Sequence, residues 1–209
     1  MGHRIWDQLE AEEVPMEETE ATEESALGLD YSDRLKWAAL HNRIIYLHED
    51  LRSRSVREMS MELQALMRTS KEPILIMVSS PGGVVLPGLA LYDEIMELRK
   101  EGIHVTMRVC GYAASMAAIV LQAAEVREAQ ENSRILIHEV SRFTFWSEDK
   151  PSDLEEQLVE MKKLQAILLG IISGRSGKTI DELEELIWKR DVWFSAEEAL
   201  EFGLIDRIV

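Results

Sequence analysis

With 209 residues and 46% hydrophobic side chains, the chain can bury one sizeable core, and its length allows one domain or two. A formal net charge of -16 with no Lys/Arg run argues against a nucleic-acid partner, because phosphate binding needs clustered cations. The single cysteine, Cys110, cannot close an internal disulfide, no apolar run reaches membrane-spanning length, and the N-terminus lacks the basic-then-apolar order of a signal peptide. These features predict a soluble cytoplasmic protein with no membrane partner, and no metal site is expected.

Residues 1–30 form an acidic tail. The stretch "DQLEAEEVPMEETEATEESALGLD" has no basic residue and few large apolar ones, too few to offset its ordering entropy, so it is expected to be mobile. A solvated tail, a removable propeptide and a partner-facing arm all remain open. The folded domain is expected over 31–209. "SDRLKWAALHN" has helical spacing through Leu35, Ala38 and Ala39, and "RIIYL" is a short strand. "SVREMSMELQALMRT" repeats Val56, Met59, Leu63 and Leu66 along one helix side. "PILIMVSS" is apolar almost throughout, which predicts a strand covered on both faces. "PGG" breaks it, and "LPGLALYDEIMELRKEG" is helical, with Leu89, Tyr92 and Met96 on one stripe and a stop at Gly102.

The cycle then repeats. "HVTMRVC" reads as a strand, with Cys110 as a small buried hydrophobe, "GYAA" as a turn and "SMAAIVLQAA" as a helix. "RILIHEV" and the aromatic "RFTFWS" are further strand candidates. A long helix follows, with Ser152 and Glu155 resembling a capping box and with Leu154, Leu158, Met161, Leu164 and Leu168 facing inward. Two shorter helices, "TIDELEELIWKR" and "SAEEALEFG", take Thr179 and Ser195 as N-caps. Strands alternating with helices predict an α/β domain with a largely parallel sheet.

In such sheets ligands gather where strands end and helices begin. Two seams qualify. At "VSSPGGV", Gly82 and Gly83 lack a Cβ and let backbone N–H groups approach a bound atom closely. At "GYAASMA", Ser115 opens a helix, where unpaired N–H donors favour a developing oxyanion. A turn and a cap explain these two features equally well when each is taken alone. A serine nucleophile needs a base. Of the five histidines, only His138 ends an apolar strand at the sheet edge that carries Ser115 and the glycines. The base in turn needs an orienting carboxylate. With 39 acidic residues composition cannot choose one, although Asp191 in "KRDVWFSAEEA" stands between a helix and a hydrophobic turn.

The blocks "VSSPGGVVLPGLALYDEIM", "GYAASMAA", "NSRILIH" and "RDVWFSAEEALEFGLID" resemble, in order and spacing, the proteolytic subunit of the Clp protease, a serine peptidase family. The resemblance covers roughly residues 35–209. It implies a fold of repeated β-β-α turns shared with crotonases, as a single domain with a protruding strand–helix handle. It implies a triad of Ser115, His138 and Asp191, with the N–H groups of Gly83 and Met116 as oxyanion hole. It further implies stacked heptameric rings that degrade unfolded polypeptides and are fed by an ATP-driven AAA+ unfoldase. The chain itself would hold no cofactor, since ATP belongs to the partner. Phe143, Phe145 and Trp146, with the helix after them, would join the two rings, and Arg190 would pair across the ring interface.

Departures from the family pattern are also visible. Tyr112 stands where the family usually has Gln, and Glu139-Val140 where it usually has Gln-Pro. "SRFTFW" replaces a glycine-rich segment that pairs with substrate, Leu75 and Met77 stand where aromatic residues often dock the unfoldase, and the axial-gate segment is not recognisable. Alternatives are a regulatory subunit of the same fold, a phage-type maturation peptidase, a signal-peptide-degrading enzyme and an acyl-CoA crotonase. The complete Ser115, His138 and Asp191 set weighs against the first. The signal-peptide class needs a Ser–Lys pair and a membrane anchor, and the crotonase needs no serine–histidine pair.

Overall fold

Among the described residues seven strands form one sheet in the order β1 (Ile44–Leu47), β2 (Ile74–Ser80), β3 (Val105–Ala114), β4 (Val126–Ala129) and β7 (Arg207–Ile208), with β5 (Arg134–Ile137) added on β3 and β6 (Val192–Ser195) on β5. The computed structural model describes residues 30–141 and 150–209. The acidic stretch through residue 29 and the expected strand "RFTFWS", with Phe143, Phe145 and Trp146, lie outside the described residues. Helix α1 (Tyr31–His41) spans the boundary between a short unit ending at Ala38 and the main unit from Ala39 onward. Asp30 caps it by accepting the Asp33 N–H at 2.8 Å.

The main unit alternates as the sequence predicts, from β1 (Ile44–Leu47), α2 (Ser53–Thr69), β2 (Ile74–Ser80) and α3 (Val85–Lys100) to β3 (Val105–Ala114) and α4 (Met116–Leu121). Among the described residues every strand pair but one is parallel, and the exception is β5 (Arg134–Ile137) against β6 (Val192–Ser195). Helix α2 buries the predicted stripe Val56, Met59, Leu63 and Leu66, each contributing roughly 1.5–3 kcal/mol. Strand β2 buries Ile74, Ile76 and Val78 on one face, while Leu75 and Met77 on the other are only partly covered. The expectation of full cover on both faces is therefore corrected.

Other corrections are local. "GYAA" is not a turn, because β3 continues through Ala114 before the chain bends. Cys110 is half-buried in that strand, and burial pushes its thiol up against the opposing effect of Arg108. The long helix α5 (Pro151–Ser176) begins one residue earlier than Ser152, with Pro151 in its first turn, where a missing N–H costs nothing. Asp153, not Glu155, accepts the Lys150 N–H at 3.2 Å. Of its predicted inward stripe only Leu168 is buried, alongside Leu169 and Ile172, whereas Leu154 and Leu158 are half exposed. The first half of α5 thus runs clear of the hydrophobic core. Helices α6 (Ile180–Ile187) and α7 (Ala196–Phe202) start at Thr179 and Ser195, whose hydroxyls accept the Glu182 and Glu198 N–H groups at 3.2 Å.

Strands β4 (Val126–Ala129) and β7 (Arg207–Ile208), absent from the sequence reading, are held by charge. The buried Arg127 guanidinium donates to Asp206, to Gln122 Oε1 at 2.7 Å and to the Gly203 carbonyl at 2.7 Å. Glu128 is fully buried and accepts from Arg108 Nε at 2.6 Å and Arg207 Nε at 2.8 Å. Burial pushes the Glu128 carboxyl up, but the hydrogen bonds from Arg207 and Arg108 outweigh it and hold the group below its usual range.

Candidate active site

Strand β3 positions Ser115 by changing partners halfway along. Residues 106–109 pair with β4, whereas residues 112–114 pair with β5. Between them the β2 register jumps, Val78 facing Val109 but Ser80 facing Ala113, so β3 carries extra residues in a bulge. Gly111, at φ +93°, supplies the backbone conformation the bulge needs. The second half of β3 then ends at Ser115, which caps α4 at φ 55°, ψ -125°. A non-glycine residue there is strained, and a sharp strand-to-helix turn of this kind lifts a serine hydroxyl out of the surrounding backbone. The Ser115 N–H donates to the Leu136 carbonyl at 2.9 Å, which fixes the turn against β5.

The glycines face this turn from β2. A Cβ on Gly82 would lie 2.4 Å from the Ala114 carbonyl oxygen and 2.7 Å from Met116 N, so only glycine fits. Ser80 Oγ accepts the Gly82 N–H at 3.2 Å and donates to the Glu49 carbonyl at 2.6 Å, which holds the loop in place. Gly83 forms a parallel bridge with Leu51, in which Leu51 N donates to the Gly82 carbonyl and Val84 N to the Leu51 carbonyl. That pattern leaves the N–H of Gly83 itself pointing away from Leu51. Gly83 and Met116 line the same cavity as Ser115, and Met116 N, at the first position of its helix, has no intrahelical partner. Met116 packs its side chain on Gly88 of α3, a contact that no sequence pattern signals.

His138 follows β5 directly, and its Nε2 lies 2.8 Å from Ser115 Oγ. With the proton on Nδ1, Nε2 is free to accept from the hydroxyl. Asp191 precedes β6, whose register sets Val192 opposite Ile137, so Asp191 and His138 each stand one residue past the paired ends of adjoining strands. Among the described residues no hydrogen bond joins the two, and Asp191 is exposed. Arg190 is exposed and donates to the Glu185 carbonyl at 3.3 Å. Tyr112 is exposed on β3 beside the bulge. The structure therefore brings Ser115, His138, Gly83 and Met116 together around one cavity and leaves Asp191 across the strand pair from His138.

The cavity has a volume of about 60 Å³ and is partly open to solvent. Its walls are mostly aliphatic, from Ile119, Ile137, Leu168 and Ile172, with Ser115 and His138 at one side. Two further polar groups line it: Glu139, which the sequence marks only as a departure from the family pattern and which accepts the Lys189 N–H at 2.9 Å, and Gln165, which sequence reasoning missed and whose Oε1 accepts the Val140 N–H at 3.1 Å. No helix among the described residues is long and apolar enough to cross a membrane.

A parallel α/β sheet with a strained serine at a strand–helix turn defines the class, and comparison with known proteins gives the family. A family model described as Clp protease matches residues 30–209. The chain belongs to that family. It is 36% identical over 188 residues to ATP-dependent Clp protease proteolytic subunit 1 of Protochlamydia amoebophila, covering 88% of this chain and 89% of that one. It is 34% identical over 170 residues to proteolytic subunit 3 of Parasynechococcus marenigrum, covering 80% and 82%. It is 35% identical over 196 residues to proteolytic subunit 2 of Frankia casuarinae, covering 91% and 84%. The mixed α/β fold agrees with the ClpP/crotonase-like architecture implied by the sequence blocks.

Proposed function

We propose that the chain is a serine endopeptidase subunit that hydrolyses unfolded polypeptides inside a ring oligomer. Ser115 Oγ attacks the scissile carbonyl carbon while His138 Nε2 takes the hydroxyl proton. The oxyanion forms against the N–H groups of Gly83 and Met116. Collapse breaks the C–N bond, and the imidazolium returns its proton to the leaving amine. Water then hydrolyses the acyl-enzyme by the same route. Asp191 holds the imidazole in the required tautomer.

The observation that carries this reading is the 2.8 Å contact of His138 Nε2 with Ser115 Oγ on a strained turn. The relatives' names support a place in an ATP-dependent system, with ATP used by a partner AAA+ unfoldase. The half-exposed Leu154, Leu158 and Val159 on α5 support burial of that helix in an assembly, as stacked heptameric rings would provide.

The test is labelling with a fluorophosphonate and mapping of the modified residue. Ser115 is the expected site. Ser115→Ala, His138→Ala and Asp191→Asn should each cut hydrolysis of a fluorogenic peptide by several orders of magnitude, about 10⁴-fold or more in kcat, without adding up in combination. Hydrolysis by Ser115→Ala at the wild-type rate would overturn the reading.

A further inference from the structure

The segment that follows His138 leaves the sheet at once. Strand β5 ends at Ile137, and residues 138–141 belong to no strand or helix. Two side-chain contacts hold this segment instead. On one side the Glu139 carboxylate accepts the N–H of Lys189, two residues before Asp191. Lys189 sits at φ 55°, a strained conformation for a non-glycine residue that persists only where its surroundings hold it. On the other side the Val140 N–H donates to Gln165 Oε1, which projects from the buried half of α5. A proline at position 140, as the family pattern usually has, could not make this second bond, because it has no N–H.

We propose that Glu139 and Gln165 are positioning residues that clamp the end of β5, holding His138 in reach of Ser115 and tying it to the chain that carries Asp191. The inference rests on the peptidase reading above. Among the described residues the His138 ring has one side-chain partner, Ser115. Its place is therefore set by the backbone of residues 138–140, and that backbone is fixed by the two clamp bonds. Glu139 also links the two loops whose separation decides whether Asp191 meets His138. Neither residue touches the reacting atoms.

Loss of the clamp lets His138 drift while the aliphatic cavity keeps its shape. A misplacement of the base by about 1 Å costs on the order of 10²-fold in rate. Glu139→Ala and, independently, Gln165→Leu should therefore lower kcat on a short fluorogenic peptide by roughly ten- to a hundredfold, with KM changed far less. The conservative Glu139→Gln and Gln165→Glu, which keep an acceptor oxygen, should recover most of the loss. Loosening the base should also slow fluorophosphonate labelling of Ser115 in step with kcat, because that reaction needs the same proton transfer. Circular dichroism and particle mass are measured on all four variants. Labelling and kcat at wild-type values in both truncated variants would overturn the clamp alone. So would equal losses in the conservative and truncated members of either pair, or an effect confined to KM. A wild-type chain that is not labelled at Ser115 would overturn the peptidase reading and the clamp with it.

Discussion

Replacing Gly82 with alanine adds one methyl group at the closest approach between β2 and the Ser115 turn. The new Cβ would sit 2.4 Å from the Ala114 carbonyl oxygen, where ordinary contact begins near 3.4 Å, so backbone on one side must retreat by about 1 Å. Neither neighbour is a flexible side-chain end that could swing away. Overpacking of this kind costs about 1–3 kcal/mol. The left-handed backbone at φ +84° adds about 1 kcal/mol for a residue with a Cβ. The sum, about 2–4 kcal/mol, corresponds to a fall in Tm on the order of 10 °C for a domain of this size. The displaced atoms flank the serine, so labelling of Ser115 should slow on the order of 10²-fold. Gly102→Ala is the control. Its φ is +82°, yet nothing lies within 4 Å of the added carbon, so only the conformational cost applies. Calorimetry at equal protein concentration, paired with labelling rates, separates the two variants. Equal Tm and equal labelling in Gly82→Ala and Gly102→Ala would refute the close-approach argument.

Glu128 has a folded-state pKa below its unfolded value, so its stabilising contribution is present above the unfolded carboxylate range and is lost as pH falls through the folded pKa. Glu128→Gln should cost about 1–2 kcal/mol at pH 7, from weaker hydrogen bonds to Arg108 and Arg207. Denaturant unfolding should show the gap between variant and wild type closing below about pH 4; a constant gap would place the effect elsewhere. Arg190→Ala should lower both particle mass in sedimentation and peptide hydrolysis. A change in neither would return Arg190 to the ordinary surface charges.

The strands and helices that could be read from sequence are those with a long one-sided pattern. Helix α2 matches its predicted stripe because Val56, Met59, Leu63 and Leu66 all meet the core. Strand β4 is charged at two of its four residues and β7 spans only two, so neither offers an apolar run to read, and β6 runs straight into the cap of α7. Helical spacing also cannot tell a face turned to its own core from one turned elsewhere, which is why Leu154 and Leu158 were expected inside. At the site, Ser115 is visible because it opens a helix after a small-residue seam, and His138 because it ends an apolar strand at the same sheet edge. Asp191 was one acid among many, and its place at the strand end adjoining that of His138 follows from the β5–β6 register, which no local pattern encodes. Glu139 stands out in the sequence only as a departure from the family pattern and Gln165 not at all, because both act on backbone N–H groups of distant segments.

The partner change in β3 also divides the sheet into two zones of mutational tolerance. Residues 106–109 answer to β2 and β4, and beyond β4 to the arginine–carboxylate ties of β7. Residues 112–114 answer to β5, and through it to β6 and the loops bearing His138 and Asp191. The bulge around Gly111 separates the zones on the β4 side, because a small shift in β4 can be absorbed there before it reaches the serine, whereas β2 pairs with both zones through Val109 and Ala113. Sequence drift that tunes the stability of the β4 side is thereby uncoupled from the site, whereas the few residues after Gly111 have no such slack.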